Sequence, residues 1–277
     1  MPPGVYESQL RADGYEAEIE LYARLTVTAE GVNFDFSGTS GGSRYGLNVP
    51  LNYAAAYSVF ALRCIIGPEI PNNAGSLAPF TVTAPKGCIL NAQSPAPVAM
   101  RHTLGQMTPD LIYGCLHQTL PGRVPAEGAS CMYDLPLRSA PEVAREGGPF
   151  FALELAHNGG TGARPALDGL SATAFPSGVW GSQVETSESV APILITRREL
   201  RPGSGGAGRM RGGLGQRIEL RAANGHPFLV FETPGGGGFG DPRARDRQAV
   251  IDDLTNGLIS VETATDIYGL ILEETPE

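Results

Sequence analysis

S-G-G-A-G-R-M-R-G-G-L-G, from Ser204 to Gly215, and P-G-G-G-G-F-G-D-P, from Pro234 to Pro242, are glycine clusters separated by one short strand-like stretch. Glycine loses more backbone entropy on ordering than any other residue, so such runs persist where the chain needs positive φ or where two backbones meet with no Cβ between them. Two uses are open. Arg209 and Arg211 beside inward-turned amides would form a cationic concavity for an anion, or the glycines serve tight turns and close packing. No Lys-Ser or Lys-Thr pair follows either cluster, as a Walker loop requires, and neither opens a long helix as a dinucleotide-binding turn does.

Outward from the clusters, Phe150 to Ala156, Ile193 to Leu200, Arg217 to Arg221 and Pro227 to Glu232 are short, β-rich and bounded by turn residues, which predicts strands. Towards the N-terminus, Ile19, Leu21, Ala23, Leu25 and Val27 alternate with mostly polar neighbours, and Val32, Phe34 and Phe36 alternate after Glu30-Gly31. Residues 15–37 therefore read as a β-hairpin. Leu51 to Ile66 is apolar on nearly every side, lacks internal Pro or Gly, and stops at Gly67-Pro68, which predicts a buried helix. Thr108-Pro109-Asp110 supplies a cap, a fixed φ and a first-turn carboxylate for a helix near 109–120, stopped by Pro121-Gly122. Asp246 to Asn256 and a stretch capped by Ser260 and ended by Gly269 predict a C-terminal helical hairpin. The fold class is α+β, a β-rich mixed architecture, and the absence of a linker makes 1–277 a single domain. Arg138 to Gly148, rich in Pro, Glu, Arg and Gly, reads as the most mobile loop.

Hydrophobic residues make up 42% of the 277 and charged residues 18%, a composition that buries enough surface to offset ordering entropy. The formal charge of −9 repels a nucleic-acid backbone, so nucleic acid is excluded as a partner. Cys64, Cys88, Cys115 and Cys131 form no C-x-x-C pair and sit in apolar or small-residue surroundings, which predicts inert buried thiols rather than disulfides or zinc. No stretch approaches a membrane span and no leader pattern opens the chain, so the reading is cytoplasmic.

His102, His117, His157 and His226 lack the H-E-x-x-H spacing that sets two imidazoles on one metal, and no metal ligand is assigned. His157 ends a strand directly before Asn158-Gly159-Gly160-Thr161-Gly162-Ala163-Arg164, where a loop brings side chains to a ligand. Asp168-Gly169 follows that loop. Glu185 and Glu188, three apart, offer paired carboxylates for acid–base work or stand as a solvated surface pair. The G-x-S-x-G of a nucleophile elbow is read as absent around every serine, Ser204 included, which disfavours an acyl-enzyme.

In chain order, several pieces resemble the C-terminal part of the hydantoinase B/oxoprolinase family, which includes 5-oxoprolinase, N-methylhydantoinase B and the acetone carboxylase alpha subunit. They are Asp35-Phe36-Ser37-Gly38-Thr39-Ser40 with Asn48 and Pro50, Ile70 to Gly75, Asn91 to Pro97 with Arg101, and Leu120-Pro121. Gly159 to Arg164 with Asp168-Gly169, Glu185 and Glu188 before Pro192, the two glycine clusters, Asp241-Pro242, Arg245-Asp246, Val250 and Tyr268-Gly269 complete the set. The resemblance implies a subunit of an ATP-dependent cyclic-amide hydrolase, of hydantoin or 5-oxoproline type, beside a hydantoinase A-like partner that handles ATP and Mg. A ketone carboxylase subunit and a non-catalytic assembly subunit are the alternatives. It implies Asp168, His157 and Glu185 as catalytic residues. Gly160, Gly162, Arg164, Ser204, Gly205, Gly206, Arg209 and Arg211 would bind substrate or phosphate. Family members also carry an N-terminal half with an Asn-Asp-Pro and His metal motif, unmatched between Met1 and Asp35, so a separate chain is expected to supply it. Any divalent metal of the complex is not assigned to this chain. The interval from Gly215 to Pro234 is shorter than the family pattern.

Overall fold

The computed structural model describes residues 1–130, 132–139, 150–223 and 228–271. Cys131, His226 and most of the 138–148 loop therefore lie outside the described residues. Where the sequence reads as one domain, the chain divides into two compact units, Met1–Pro125 and Ala126–Glu277. The boundary falls in R-V-P-A-E, with no Gly/Ser run to mark it in the sequence.

The first unit is built on a four-stranded sheet of β1 (Gly4–Ala12), β2 (Ile19–Val27), β3 (Val32–Asp35) and β4 (Phe80–Thr83), in that order. β1, β2 and β3 pair antiparallel, so the expected hairpin is present, while β3 and β4 pair parallel. A parallel pair requires a crossover, which includes helices α1 (Leu51–Ile65) and α2 (Ala74–Leu77). The period-2 alternation of β2 puts Ile19, Leu21, Ala23, Leu25 and Val27 on the buried face with Phe34. After α3 (Arg101–Gly105), helix α4 (Thr108–His117) lies on β1, β2 and α1 and buries Leu111, Ile112 and Leu116.

Three expectations change here. Thr108 is not the cap: Met107 holds that place, and the Thr108 hydroxyl donates back to Gly105 O inside the turn. α1 is buried on one face only, by Ala54, Ser58, Ala61 and Leu62. Its other face opens on a groove of about 780 Å³ lined by Ala55, Val59, Phe60, Leu77, Phe80 and Val82. Cys64 is exposed on this helix rather than buried.

The second unit contains a two-stranded antiparallel ribbon, β5 (Met132–Arg138) and β6 (Ala152–Asn158), then α5 (Val184–Val190) and a three-stranded antiparallel sheet. That sheet is β7 (Ile193–Leu200), β8 (Gln216–Ala222) and β9 (Phe228–Glu232), close to the expected strands. Leu155, Ala191, Ile193, Ile218 and Leu220 form one core. A second core gathers Val250, Ile259, Ala264, Tyr268 and Leu270 around α6 (Arg247–Thr255). Asp246 caps α6 through Ala249 N, and Gly257 ends it at φ +66°. Ser260 Oγ accepts from Thr263 N as expected, but the following turn, Thr263–Ile267, is π-helical.

The glycine segments of this unit lie backbone against backbone without forming ordinary strands. Gly160 N donates to Pro234 O at 3.0 Å, Gly213 N to Thr161 O at 2.9 Å, Gly236 N to Gly213 O at 2.8 Å and Gly206 N to Gly236 O at 2.8 Å. A Cβ on Gly160 would stand 2.0 Å from Gly213 O, and one on Gly212 would stand 1.9 Å from Gly236 O. Bare backbone is therefore required at this spacing.

Gly212→Ala is expected to destabilise the protein by about 3 kcal/mol or more, because the obstructing atoms are backbone and cannot swing away. Gly41→Ala, where a Cβ meets nothing within 4 Å, serves as the neutral control in urea denaturation.

Candidate functional site

The loop after β6 and the first glycine cluster converge on Asp168. Arg245 grips this carboxylate with both terminal nitrogens, Nη1 to Oδ1 at 2.8 Å and Nη2 to Oδ2 at 2.9 Å, and Arg211 N donates to Oδ1 at 2.8 Å. Behind it, Asp253 Oδ2 accepts from Arg245 Nη2 at 2.8 Å and Arg211 Nε at 3.1 Å. Arg211, Arg245 and Asp253 are buried, whereas the Asp168 side chain is 35% exposed. Burial alone would raise the Asp168 carboxyl, but the hydrogen bonds from Arg245 and the Arg211 amide outweigh it and hold it below the usual carboxylate range. The Asp168 hydrogen bond in turn leads the effects that push Arg245 higher still, so this pair stays charged.

Beside it opens a cavity of about 490 Å³ whose wall includes Arg164, Arg209, Arg245, Asp168 and Asp246. Arg164 Nη2 donates to Asp168 O at 2.8 Å, and Arg209 Nη2 to Pro165 O at 2.6 Å.

The remaining predicted residues are spread more widely. His157 is buried on β6 opposite Tyr133, and its imidazole is pushed down to about 4 by burial and then by the Arg198 charge. Glu185 is exposed on α5, while Glu188 Oε1 accepts from Ile195 N at 2.7 Å and ties that helix to β7. Ser204 Oγ donates to Arg201 O at 2.6 Å and accepts from Gly215 N at 3.0 Å. The amides of Gly160, Gly206, Gly212 and Gly213 donate to backbone carbonyls inside the glycine bundle, and Arg211 N to Asp168. These amides build the framework instead of facing a cavity. In the first unit, His117 Nε2 lies 3.0 Å from Pro125 O.

Arg245 and Asp253 escape the sequence reading as ion-pair partners. Arg245 carries a trace of signal, since it closes the D-P-R-A-R-D run directly after the second glycine cluster. The reading that no serine carries the G-x-S-x-G spacing is corrected by Gly38-Thr39-Ser40-Gly41-Gly42, which satisfies it. No strand-to-helix elbow forms there: Ser40 Oγ accepts from Glu20 N at 2.9 Å and braces β2. Among the described residues no group of three or more His, Cys, Asp or Glu side chains is placed to hold a metal ion. No helix of the described residues is long and apolar enough to cross a membrane.

Several known proteins are similar to this chain. The family model described as Hydantoinase B/oxoprolinase matches residues 1–229. The B component of a provisionally named D-/L-hydantoinase from Pseudomonas sp. (strain NS671) is 24% identical over 344 residues, covering 100% of this chain and 57% of its own. The crystal structure of the ATP-dependent caprolactamase from Pseudomonas jessenii superimposes with a TM-score of 0.81 at 22% identity, covering 100% of this chain and 58% of that one. Nucleotide-free acetone carboxylase gives a TM-score of 0.76 at 16% identity, over 98% of this chain and 49% of that one. The α+β fold is thus shared with both enzymes, and the chain spans about half the length of the relatives it matches.

Two consequences are measurable. Asp253→Asn leaves the buried Arg211 guanidinium without a counter-charge, Arg245 keeping Asp168, and should cost about 3–5 kcal/mol in denaturant unfolding. Because His157 is held neutral when folded, the unfolded chain takes up its proton first as the solution is acidified. Stability present above pH 6.5 is therefore lost as pH falls from about 6.5 towards about 4. Thermal melts across that window should show the loss in the native chain and a flatter profile in His157→Gln.

Proposed function

Since this chain belongs to the hydantoinase B/oxoprolinase family, we propose that it is a subunit of an ATP-dependent cyclic-amide hydrolase of hydantoin or 5-oxoproline type. It works beside a hydantoinase A-like chain that handles ATP and Mg. The family match across residues 1–229 carries the reading. Relatives named as subunits, the B subunit of a D-/L-hydantoinase and the beta subunit of a caprolactamase, support a working assembly with a further chain. The open apolar face of α1 is consistent with such an assembly.

The chemistry asks for a shielded, preorganised site. A cyclic amide is resonance-stabilised, and phosphorylating its carbonyl oxygen makes an electrophile that water opens. This chain contributes the rigid surroundings such a labile species needs. In this reading Asp168 remains a carboxylate at neutral pH and fixes Arg245 and the Arg211 backbone, while Arg164 and Arg209 face the ligand. His157, neutral at pH 7, is suited to accept a proton once a ligand or partner reaches β6. Glu185, exposed on α5, is placed for contact from another chain. Gly160, Gly162, Ser204, Gly205, Gly206 and Arg211 hold the loops in place. The described residues do not gather a donor set for a resident metal, and no step is assigned to one here.

Co-expression with a hydantoinase A-like chain should yield ATP-dependent ring opening of hydantoin or 5-oxoproline, absent from the 277-residue chain alone. Turnover by the isolated chain overturns the reading. ATP consumption that needs bicarbonate and a ketone replaces it with a carboxylase.

A further inference from the structure

We propose that the cavity beside Asp168 is an oxyanion site, built to take the carboxylate or phosphoryl group of a small ligand. The inference deepens the functional reading above and rests on it only for the choice of probes.

Charge accounting across the wall comes first. Both oxygens of Asp168 are taken by Arg245, Oδ1 also accepts from Arg211 N, and Asp246 Oδ1 accepts from Ala249 N. Arg211 is matched by Asp253 behind the wall. Arg164 and Arg209 remain. Each donates one hydrogen bond to a backbone carbonyl, which orients the guanidinium without neutralising it, and neither forms an ion pair among the described residues. In a chain of net charge −9, two arginines outside any ion pair, set against the one wall carboxylate left unpaired among the described residues, that of Asp246, leave this small cavity net positive and run against the surrounding field.

A second observation is independent of that accounting. Arg164 Nε and Arg245 Nε are both buried, and neither has a hydrogen-bond partner within the protein. Buried donors are normally satisfied, and a charged one left alone is costly. What an oxyanion at this wall would meet is the pair of cavity-lining guanidiniums, Arg164 and Arg209, a group that matches carboxylate and phosphate in a bidentate fork. The cavity, about 490 Å³, falls in the range of small-ligand sites. Leu167, Leu170, Met210 and Ala249 give it an apolar side. The fitting ligand has one oxyanion and a compact apolar body.

Titration of the 277-residue chain by calorimetry and NMR, without ATP or partner, tests this with three probes: 5-oxoproline for a carboxylate, inorganic phosphate for a phosphoryl group, and caprolactam as a neutral ring. Saturable binding of an anionic probe, weakened by salt and at least about tenfold tighter than caprolactam, is expected. The tighter of the two anions identifies the source. Arg164→Gln and Arg209→Gln should each weaken that binding about tenfold with the thermal melt unchanged, and Arg164→Lys should restore part of it. No saturable anion binding, caprolactam binding as tightly as the anions, or folded Gln variants that bind like the native chain overturns the proposal. Should a variant fail to fold, the comparison of charged with neutral probes on the native chain decides alone. Because neither nucleotide nor partner is present, a negative result here leaves ATP-dependent turnover of the assembly standing, and loss of that turnover leaves a positive titration standing.

Discussion

Backbone meeting backbone without an intervening Cβ is the constraint on which the second unit depends. Segments around Gly160, Gly206, Gly213 and Gly236 hydrogen-bond to one another at 2.8–3.0 Å, and a methyl group at Gly160 or Gly212 would overlap a carbonyl. Side-chain packing tolerates a lost methylene by relaxing, but backbone has no rotamers with which to relax. Glycine's entropic disadvantage is accepted across several segments at once, and what is gained is a rigid floor under the loops that carry Arg164, Asp168, Arg209 and Arg211.

On that floor, electrostatics fixes what hydrophobic burial cannot reach. Asp168, Arg245, Asp253 and Arg211 interlock, so each buried charge has an opposite partner and directed hydrogen bonds. Such a group adds little net stability compared with apolar packing, yet removing one member exposes the full cost of the others. It fixes the position of the cavity wall, tying the loop after β6 to Arg245, two residues ahead of α6, and to Asp253 within it. Arg164 and Arg209 stand outside this closed set, which is why the same wall can be rigid and still keep positive charge towards a ligand.

Much of the fold was legible because it follows from periodicity and punctuation. The alternation of β2, the Pro109 start of α4, the turn-bounded β7 and β8, and the Asp246 and Gly257 ends of α6 each have a local cause. β1 was not legible: Gly4–Ala12 alternates between half-buried and exposed positions, so its hydrophobic signal is faint. Nor was β4, four residues whose parallel partner lies more than forty positions away. Thr108 misled because a hydroxyl before Pro and Asp has the composition of a cap, while the chain enters the helix one residue earlier. The fate of the glycine amides was open in principle, since glycine permits inward-facing and packed amides alike; only the neighbouring segments decide. Asp168 was found from its place after a glycine loop, but Arg245 and the Asp253 behind it lie far along the chain, where no local pattern points back. Several family-motif residues have folding roles: Asn48 Nδ2 donates to Ser43, Tyr45 and Pro97 carbonyls, and Asn73 closes a capping box with Ser76.

The two units are left open in different ways. In the first, α1 packs chiefly on α4 and buries Ala54, Ser58, Ala61 and Leu62, while the face carrying Val59 and Phe60 is left beside a groove. An apolar helix surface of that kind is costly in water and gains from any apolar cover. In the second, the open feature is polar: a walled cavity with spare positive charge and buried donors that lack acceptors. The first kind of incompleteness is relieved by a macromolecule, since burial scales with area and has no direction. The second is matched by a small anion, since Arg164 and Arg209 set positive charge at a defined place on the wall. A chain carrying both is suited to assembly through one unit and ligand capture through the other, and neither property requires this chain to perform the phosphoryl chemistry itself.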